Sequence, residues 1–216
     1  MIKFVSLLLL AFAFLCEDVK AQPTSDSIEL RKEFLSLDEA LKNPNNVYRL
    51  NLSNQESEIA DTIWSQFPNL QYLSLKNNHL KQIPQSISTL KNLKVLDLSG
   101  NDFKFLPLTF SNLSKLEELF LNDEKHFQLQ KSIPVLSKMP NLKSLHLEND
   151  RLRTLPKNMY KLGQLESLYL NNNEFKEFPR ELIDLKNLKY LDFHDNKFAI
   201  PDQTMQDLNF GIKIRL

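Results

Sequence analysis

The number and spacing of cysteine, glycine and histidine show which catalytic or metal-binding sites this 216-residue chain could form. Cys16 is the single cysteine, which excludes an intrachain disulfide and a cysteine metal cluster. Glycine occurs three times, and no two glycines are close enough in sequence to form a Gly-rich phosphate loop. The four histidines remain as candidates for catalytic or metal chemistry: His79, His126, His146 and His194.

His146 and His194 are the histidines best placed to share a site with carboxylates. His146 and Glu148 alternate along one predicted strand and so share a face, whereas His194 lies two predicted strands away, roughly 10 Å distant. A zinc ion holds each ligand at about 2 Å, so this set is too dispersed. Glu117 and Glu118 are adjacent strand residues that point to opposite faces, which is unsuitable for an acid/base pair. The sequence therefore predicts no catalytic residues, no metal site and no cofactor.

The first 21 residues have the form of a secretory signal peptide. A basic start at Lys3 precedes an apolar run over residues 4–16, and Val19 and Ala21 suit cleavage before Gln22. The run is shorter than the roughly 20 residues that cross a bilayer, so it predicts no membrane span. Large residues directly before Cys16 argue against a lipid anchor there. We expect a protein that is secreted or located in the periplasm or cell envelope.

A 23-residue repeat organises most of the chain. Leucine or another apolar residue occupies positions 1, 4 and 6, asparagine or aspartate position 9, and apolar residues positions 11, 14, 18 and 21, with proline often at 15. Copies begin at Val47, Leu70, Leu93, Leu116, Leu142, Leu165 and Leu188, and the copy at 116–141 is three residues longer. This spacing resembles the leucine-rich repeat family, in particular its 23-residue form and its secreted bacterial members.

The resemblance implies an α/β leucine-rich-repeat solenoid, or horseshoe, with a concave parallel β-sheet and an N-terminal capping helix. Its predicted segments are a signal peptide (1–21), an N-terminal segment with the capping helix (22–46), seven repeats (47–210) and a C-terminal edge strand (211–216). A single repeat buries too little apolar surface to fold alone, so neighbouring repeats must stack. Ser36 and Glu39 predict a capping box, and Leu35 with Ala40 a hydrophobic staple, for a helix over residues 37–43.

Asparagine at position 9 has a predicted structural role. There the chain turns off the strand, and a buried amide can donate to and accept from the backbone of adjacent coils. Gln55, Glu124 and Asp150 replace asparagine in three copies. Because an ionised carboxylate cannot donate a hydrogen bond, we expect a weaker ladder around Glu124 and Asp150. The predicted asparagine ladder consists of Asn78, Asn101, Asn173 and Asn196.

Ligands of leucine-rich-repeat proteins usually bind the concave sheet, at positions that flank the inward leucines. Phe120, His146 and Tyr169 occupy position 5 of three consecutive copies, so the three rings should lie side by side and point outward. Neighbouring exposed aromatic residues favour an interface, although they can also stack merely to stabilise a sheet. The predicted partner-binding residues are Tyr72, Glu118, Phe120, His146, Glu148, Tyr169, Tyr190, Asp192 and His194.

The long copy offers a second candidate site. Residues 124–131 depart from the repeat and should bulge from the turn or convex side beside the rings. A tolerated loop insertion, with Phe127 or Leu129 packed into the core, is the alternative.

The predicted function is a non-catalytic, exported module that binds a protein through a rigid concave surface. Two readings remain open: a structural or carbohydrate-binding component of the cell envelope, and an intracellular Ras-type signalling scaffold if the leader is not cleaved. The chain has 27 basic and 27 acidic residues, so bulk electrostatics does not favour a nucleic-acid partner. We expect a monomer.

Overall fold

A computed structural model describes residues 32–55, 60–197 and 212–216. The predicted signal peptide lies outside the described residues, as do residues 22–31 of the N-terminal segment and residues 198–210 of the last repeat. Within the described ranges, no helix has the length and hydropathy needed to cross a bilayer.

The described residues form one parallel sheet of nine strands in chain order. Each repeat contributes three strand residues, because leucines at positions 4 and 6 alternate with polar residues and give a strand with one buried face. The central leucines, among them Leu73, Leu119 and Leu168, have no solvent exposure. The strands are β1 (Glu33–Phe34), β2 (Arg49–Asn51), β3 (Tyr72–Ser74), β4 (Val95–Asp97), β5 (Glu118–Phe120), β6 (Ser144–His146), β7 (Ser167–Tyr169), β8 (Tyr190–Asp192) and β9 (Lys213–Arg215).

The return segments on the convex side are mostly short 3₁₀ helices. Four of them follow directly after the repeat prolines, with Pro84, Pro107, Pro156 and Pro179 at the N-cap and φ between −55° and −71°. Proline prefers this φ, so the sequence fixes where each return segment begins. The 3₁₀ segments are Pro44–Asn46, Asp61–Gln66, Gln85–Thr89, Leu108–Asn112, Lys157–Leu162 and Arg180–Asp184.

The long copy replaces its 3₁₀ segment with an α-helix, α2 (Leu129–Leu136). Three additional residues supply the length for this helix. Leu129 is 3% exposed and Ile133 is fully buried, so the helix faces the core. Phe127 packs edge-on against Phe103 with ring centroids 5.9 Å apart. Phe127 and Leu129 therefore pack against the core, whereas Lys125, His126 and Gln128 of the same segment remain exposed.

The N-terminal cap differs from its prediction in two ways. Helix α1 covers only Leu37–Ala40, and the Ser36 side chain makes no capping hydrogen bond. The capping box and staple are wrong because Glu39 pairs with Lys32 at 3.2 Å instead, and Leu35 is 63% exposed. The second difference is strand β1, which the repeat pattern did not predict. It pairs with β2 and extends the sheet by one strand on the N-terminal side.

Candidate functional site

The parallel register arranges the outward residues of the sheet in columns across the strands. Column three is formed by repeat position 3, column five by position 5, and a further column by position 7 just past each strand. Glu118 pairs in register with Ser144, and Phe120 with His146, although 26 residues separate these partners. The predicted residues on strands β5–β8 are Glu118, Phe120, His146, Tyr169, Tyr190 and Asp192, with Glu148 and His194 just past β6 and β8. Tyr72 lies apart from them, on β3.

Phe120, His146 and Tyr169 form a continuous ring stack. The centroids of Phe120 and His146 are 3.9 Å apart with 20° between the ring planes. His146 and Tyr169 are 4.0 Å apart and tilted by 7°. Tyr190 continues the cluster less regularly, at 5.4 Å and 53° from Tyr169. The predicted alignment of the rings is thus present, and the rings stand edge-on with their faces against each other.

His146 is the buried centre of this stack. Only 7% of the residue is exposed, so its ring is not an open contact surface as the sequence suggested. Its Nε2 lies 2.9 Å from Glu118 Oε1, and its Nδ1 lies 3.1 Å from Glu148 Oε1. Ionised carboxylates only accept hydrogen bonds, so the protonated imidazolium is the form that satisfies both contacts. His146 therefore fixes Glu118 and Glu148 beside the rings.

Asp192 lies next to the Tyr169 end of the ring stack, in register with Tyr169. It is 4% exposed and accepts hydrogen bonds from the Tyr190 hydroxyl at 3.2 Å and from Arg215 at 3.5 Å, and it also pairs with His194. Burial is the main cause that raises the pKa of the Tyr169 and Tyr190 hydroxyls, and the charge of Asp192 adds to it. Both tyrosines therefore remain neutral hydrogen-bonding groups at physiological pH.

Tyr72 lies apart from the stack, on the N-terminal side of the sheet. The guanidinium of Arg49 lies over its ring, 4.0 Å from the centroid, and also contacts Glu33 Oε1 at 3.1 Å. Burial, followed by the charge of Asp97, raises the pKa of the Tyr72 hydroxyl. Tyr72 thus belongs to a separate cluster made by β1, β2 and β3.

The asparagine ladder runs beneath the ends of the strands. Asn101 Nδ2 donates to the carbonyls of Leu75 and Leu98, and its Oδ1 accepts from the backbone of Asn78 and Leu80. Asn173 makes the equivalent bonds three coils further along, and Asn78 and Asn196 donate to backbone carbonyls in the same way. The ladder thus joins each coil to its neighbour.

Glu124 and Asp150 continue the ladder as acceptors. Glu124 Oε1 accepts from Asn101 N at 2.8 Å, and Asp150 Oδ1 accepts from Glu124 N at 2.7 Å. Burial is the main cause that raises the pKa of Glu124 to about 8 and that of Asp150 to about 9. The premise of ionised side chains was therefore wrong at neutral pH. A weakness persists for another reason, since Glu124 Oε2 and Asp150 Oδ2 are buried without a hydrogen-bond partner.

The part of the chain that the structure describes contains no candidate metal site. No group of three or more histidine, cysteine, aspartate or glutamate side chains converges there in a way that could hold a metal ion. His79 pairs with Asp102 at 3.3 Å on the exposed turn side, well removed from the ring stack.

Comparison with known proteins gives the same fold. A model of a leucine-rich repeat region matches residues 46–134, and a leucine rich repeat model matches residues 140–198. Curated protein sequences gave no match.

Three solved structures illustrate the similarity. The TLR13–ssRNA13 complex is 30% identical with a TM-score of 0.67, and the match covers 85% of this chain and 26% of that one. The Drosophila Toll–Spatzle complex is 17% identical with a TM-score of 0.64, covering 73% and 21%. The plant peptide hormone receptor RGFR1 with RGF2 is 24% identical with a TM-score of 0.52, covering 71% and 25%.

This chain spans about a quarter of the length of those receptor chains. At these identities the Toll and RGFR1 likenesses concern the fold alone. The 23-residue sequence repeat, the parallel sheet with its asparagine ladder, and the two matching family models establish that this chain belongs to the leucine-rich repeat family.

Proposed function

We propose that this protein is an exported, non-catalytic module that binds another protein through its concave sheet. The ring stack carries this proposal. Phe120 and Tyr169 remain partly exposed at the centre of the sheet, while His146 and its two carboxylates hold them in place. A preorganised aromatic cluster loses little conformational entropy on binding, which is why such clusters dominate the energetics of interfaces.

The structural neighbours are consistent with this role. Toll is seen with Spatzle and RGFR1 with RGF2, so the same fold presents its surface to protein or peptide ligands in those receptors. TLR13 is seen with a single-stranded RNA. For the present chain we favour a protein, because columns three, five and seven of β4–β8 contain carboxylates but no lysine or arginine to contact phosphates.

The carbohydrate alternative is less well supported. Proteins that bind sugars through aromatic residues use a ring face, but both faces of His146 are covered by its neighbours, and Tyr169 is covered on the His146 side. Tyr190 occupies part of the remaining Tyr169 surface. Apart from one face of Phe120, the rings therefore offer their edges, which suit a protein surface better than a sugar ring.

The test compares two double variants in affinity capture from extracellular and envelope fractions. F120A/Y169A removes the two outer rings of the stack. F105A/Y160A is the matched control, because Phe105 and Tyr160 are each 54% exposed but lie outside the concave columns. We expect a protein that the wild type and the control retain and F120A/Y169A loses. Identical captured proteins for both variants, or retention on cell-wall polysaccharide instead, would refute the proposal.

Export is tested separately by the intact mass of the native protein. If the protein from the medium or envelope has the mass of a chain that begins at Gln22, the signal peptide is cleaved. A full-length cytoplasmic protein would contradict export and favour the intracellular scaffold.

A further inference from the structure

The ring stack has one open end. One face of Phe120 lies on His146, so its other face is directed along the column towards β4, whose residue in register is Asp97. Among the described residues, no aromatic ring and no cationic group contacts that second face. Asp97 is shorter than phenylalanine, so its carboxylate lies below the height of the ring and leaves space above it.

This space, the β4 gap, has β4 as its floor and lies between the two neighbouring strands. Val95 and Asp97 form the floor and are partly exposed. Phe120 is the wall on the β5 side, whereas the β3 side is low, because the residue of β3 in register with Asp97 is the small, buried Ser74. Tyr72 pairs with Val95 and so lies one column away. A planar group therefore has room to stack on the free face of Phe120. Glu118, paired in register with Val95, adds a second carboxylate.

The same sheet shows which group suits a ring beside a carboxylate. Arg49 lies over Tyr72 at 4.0 Å and contacts Glu33 at 3.1 Å. Near the other end of the sheet, Arg215 contacts Asp192, which also binds the Tyr190 hydroxyl. Both ends of the concave face therefore carry an arginine from the chain itself against a tyrosine and a carboxylate.

The centre of the face has the rings and carboxylates without the arginine. Asp97 lies below the open face of Phe120, and Glu118 lies beside it, 35% exposed in its side chain. The lysines nearest to the gap are Lys94, directly before β4, and Lys76, in column seven of β3, and among the described residues neither pairs with Asp97 or Glu118. Lys143 and Lys189 lie further along the strand-entry edge, and both pair with Glu166, which lowers the pKa of that carboxyl to about 2. None of the residues in columns three, five and seven of β4–β8 is a lysine or an arginine.

We infer that the β4 gap receives an arginine side chain of the protein partner, with its guanidinium on the open face of Phe120 and paired with Asp97 and Glu118. The inference rests on the proposed function and specifies the partner as a protein with a basic segment. Arginine suits the gap better than lysine because a planar guanidinium can stack and bind carboxylates at the same time. His146 remains in place, since it holds Glu118 from the opposite side.

Model peptides test this chemistry directly. Acetylated hexa-arginine, hexa-lysine and hexa-citrulline amides are titrated into the protein, and the ring resonances of Phe120 and the carboxyl carbons of Asp97 and Glu118 are followed by NMR. We expect saturable shifts with arginine, weaker ones with lysine and none with citrulline, which has the same shape without the charge. Equal shifts with citrulline, or shifts confined to residues at the strand-entry edge beside Lys143 and Lys189, would overturn the inference.

Two charge variants show whether the gap itself is responsible. D97N/E118Q removes the two carboxylates but keeps their shape, and each lost contact weakens binding about twofold to fivefold. We therefore expect about fourfold to 25-fold weaker binding of hexa-arginine. E177Q/D184N changes the net charge equally at exposed positions outside the three columns, so less than a twofold change is expected. Equal losses in both variants would mean non-specific attraction and refute the gap.

The same variants separate this inference from the proposed function. If a captured partner depends on the rings but binds D97N/E118Q as tightly as the wild type, the concave site is supported and its arginine specificity is refuted. If capture does not depend on the rings at all, the proposed function itself fails. Loss of the partner in D97N/E118Q, together with its displacement by hexa-arginine, supports both.

Discussion

Replacing Asp150 with asparagine should make the protein more stable and less sensitive to pH. Asp150 occupies a ladder position where its Oδ2 is buried without a partner, and the residue is only 7% exposed. An asparagine could donate from Nδ2, as Asn173 donates to the carbonyls of Leu147 and Leu170. It would keep an Oδ1 to accept from Glu124 N, the bond that Asp150 now receives. D150N thus adds donors without removing the existing acceptor.

The pH dependence follows from the raised pKa. The unfolded chain loses the Asp150 proton near pH 3.9, whereas the folded protein retains it until about pH 9. Between these values the folded state holds one proton more than the unfolded state, so stability falls as pH rises. One proton corresponds to about 1.4 kcal/mol per pH unit, or about 2.7 kcal/mol between pH 5 and pH 7. Asparagine does not titrate, so the stability advantage of D150N should grow by that amount.

Urea unfolding at pH 5, 6, 7 and 8 measures this slope. Far-UV circular dichroism follows the whole solenoid, and the single tryptophan, Trp64, is fully buried and reports on the N-terminal coils. Glu124 titrates in both proteins, so its contribution largely cancels in the difference. D184N, which removes an exposed carboxylate, should leave the slope unchanged. Parallel pH profiles for wild type and D150N would refute the assignment of a protonated, unsatisfied Asp150.

Three further substitutions test other parts of the structure by thermal and urea unfolding. N173A leaves two backbone N–H groups and two carbonyls without their partner and should cost about 3 kcal/mol or more; a loss below 1 kcal/mol would contradict the ladder. G100A should cost about 1–3 kcal/mol, because residue 100 has φ +68° and a Cβ there would meet the Asn77 side chain; wild-type stability would disprove this clash. F120A removes one side of the His146 stack and should lower Tm by about 2–6 °C, whereas an unchanged Tm would show that Phe120 has no structural role.

The repeat made the sheet predictable in detail. A period of 23 residues fixes which residues are neighbours across strands, so Leu73 beside Leu96 and His146 beside Tyr169 follow from numbering alone. The two ends did not follow from it. Strand β1 has no repeat around it, and Ser36 with Glu39 matches a capping box that is not formed because Lys32 pairs with Glu39. Local motifs predict poorly where a competing side chain is available.

The candidate site was predicted only in outline. Position 5 of the repeat indicated three adjacent rings, and the structure contains them. It could not indicate that His146 would be buried with a carboxylate on each nitrogen, because side-chain direction within a column depends on the neighbours. Glu33, which pairs with Arg49, was missed since it lies before the first repeat, and Asp97 carried no signal apart from its place in column five.

The irregular copy explains how the concave surface stays intact despite an insertion. Between Phe120 and His146 the chain contains three more residues than between His146 and Tyr169, yet the two pairs of rings are 3.9 and 4.0 Å apart. The additional length is taken up by α2 on the convex wall, where Ile133 and Leu136 bury its apolar face. Because the sheet register sets the distance between strands, changes in the return segments do not reach the rings. The convex wall can therefore vary in length while the surface proposed to bind a partner keeps its geometry.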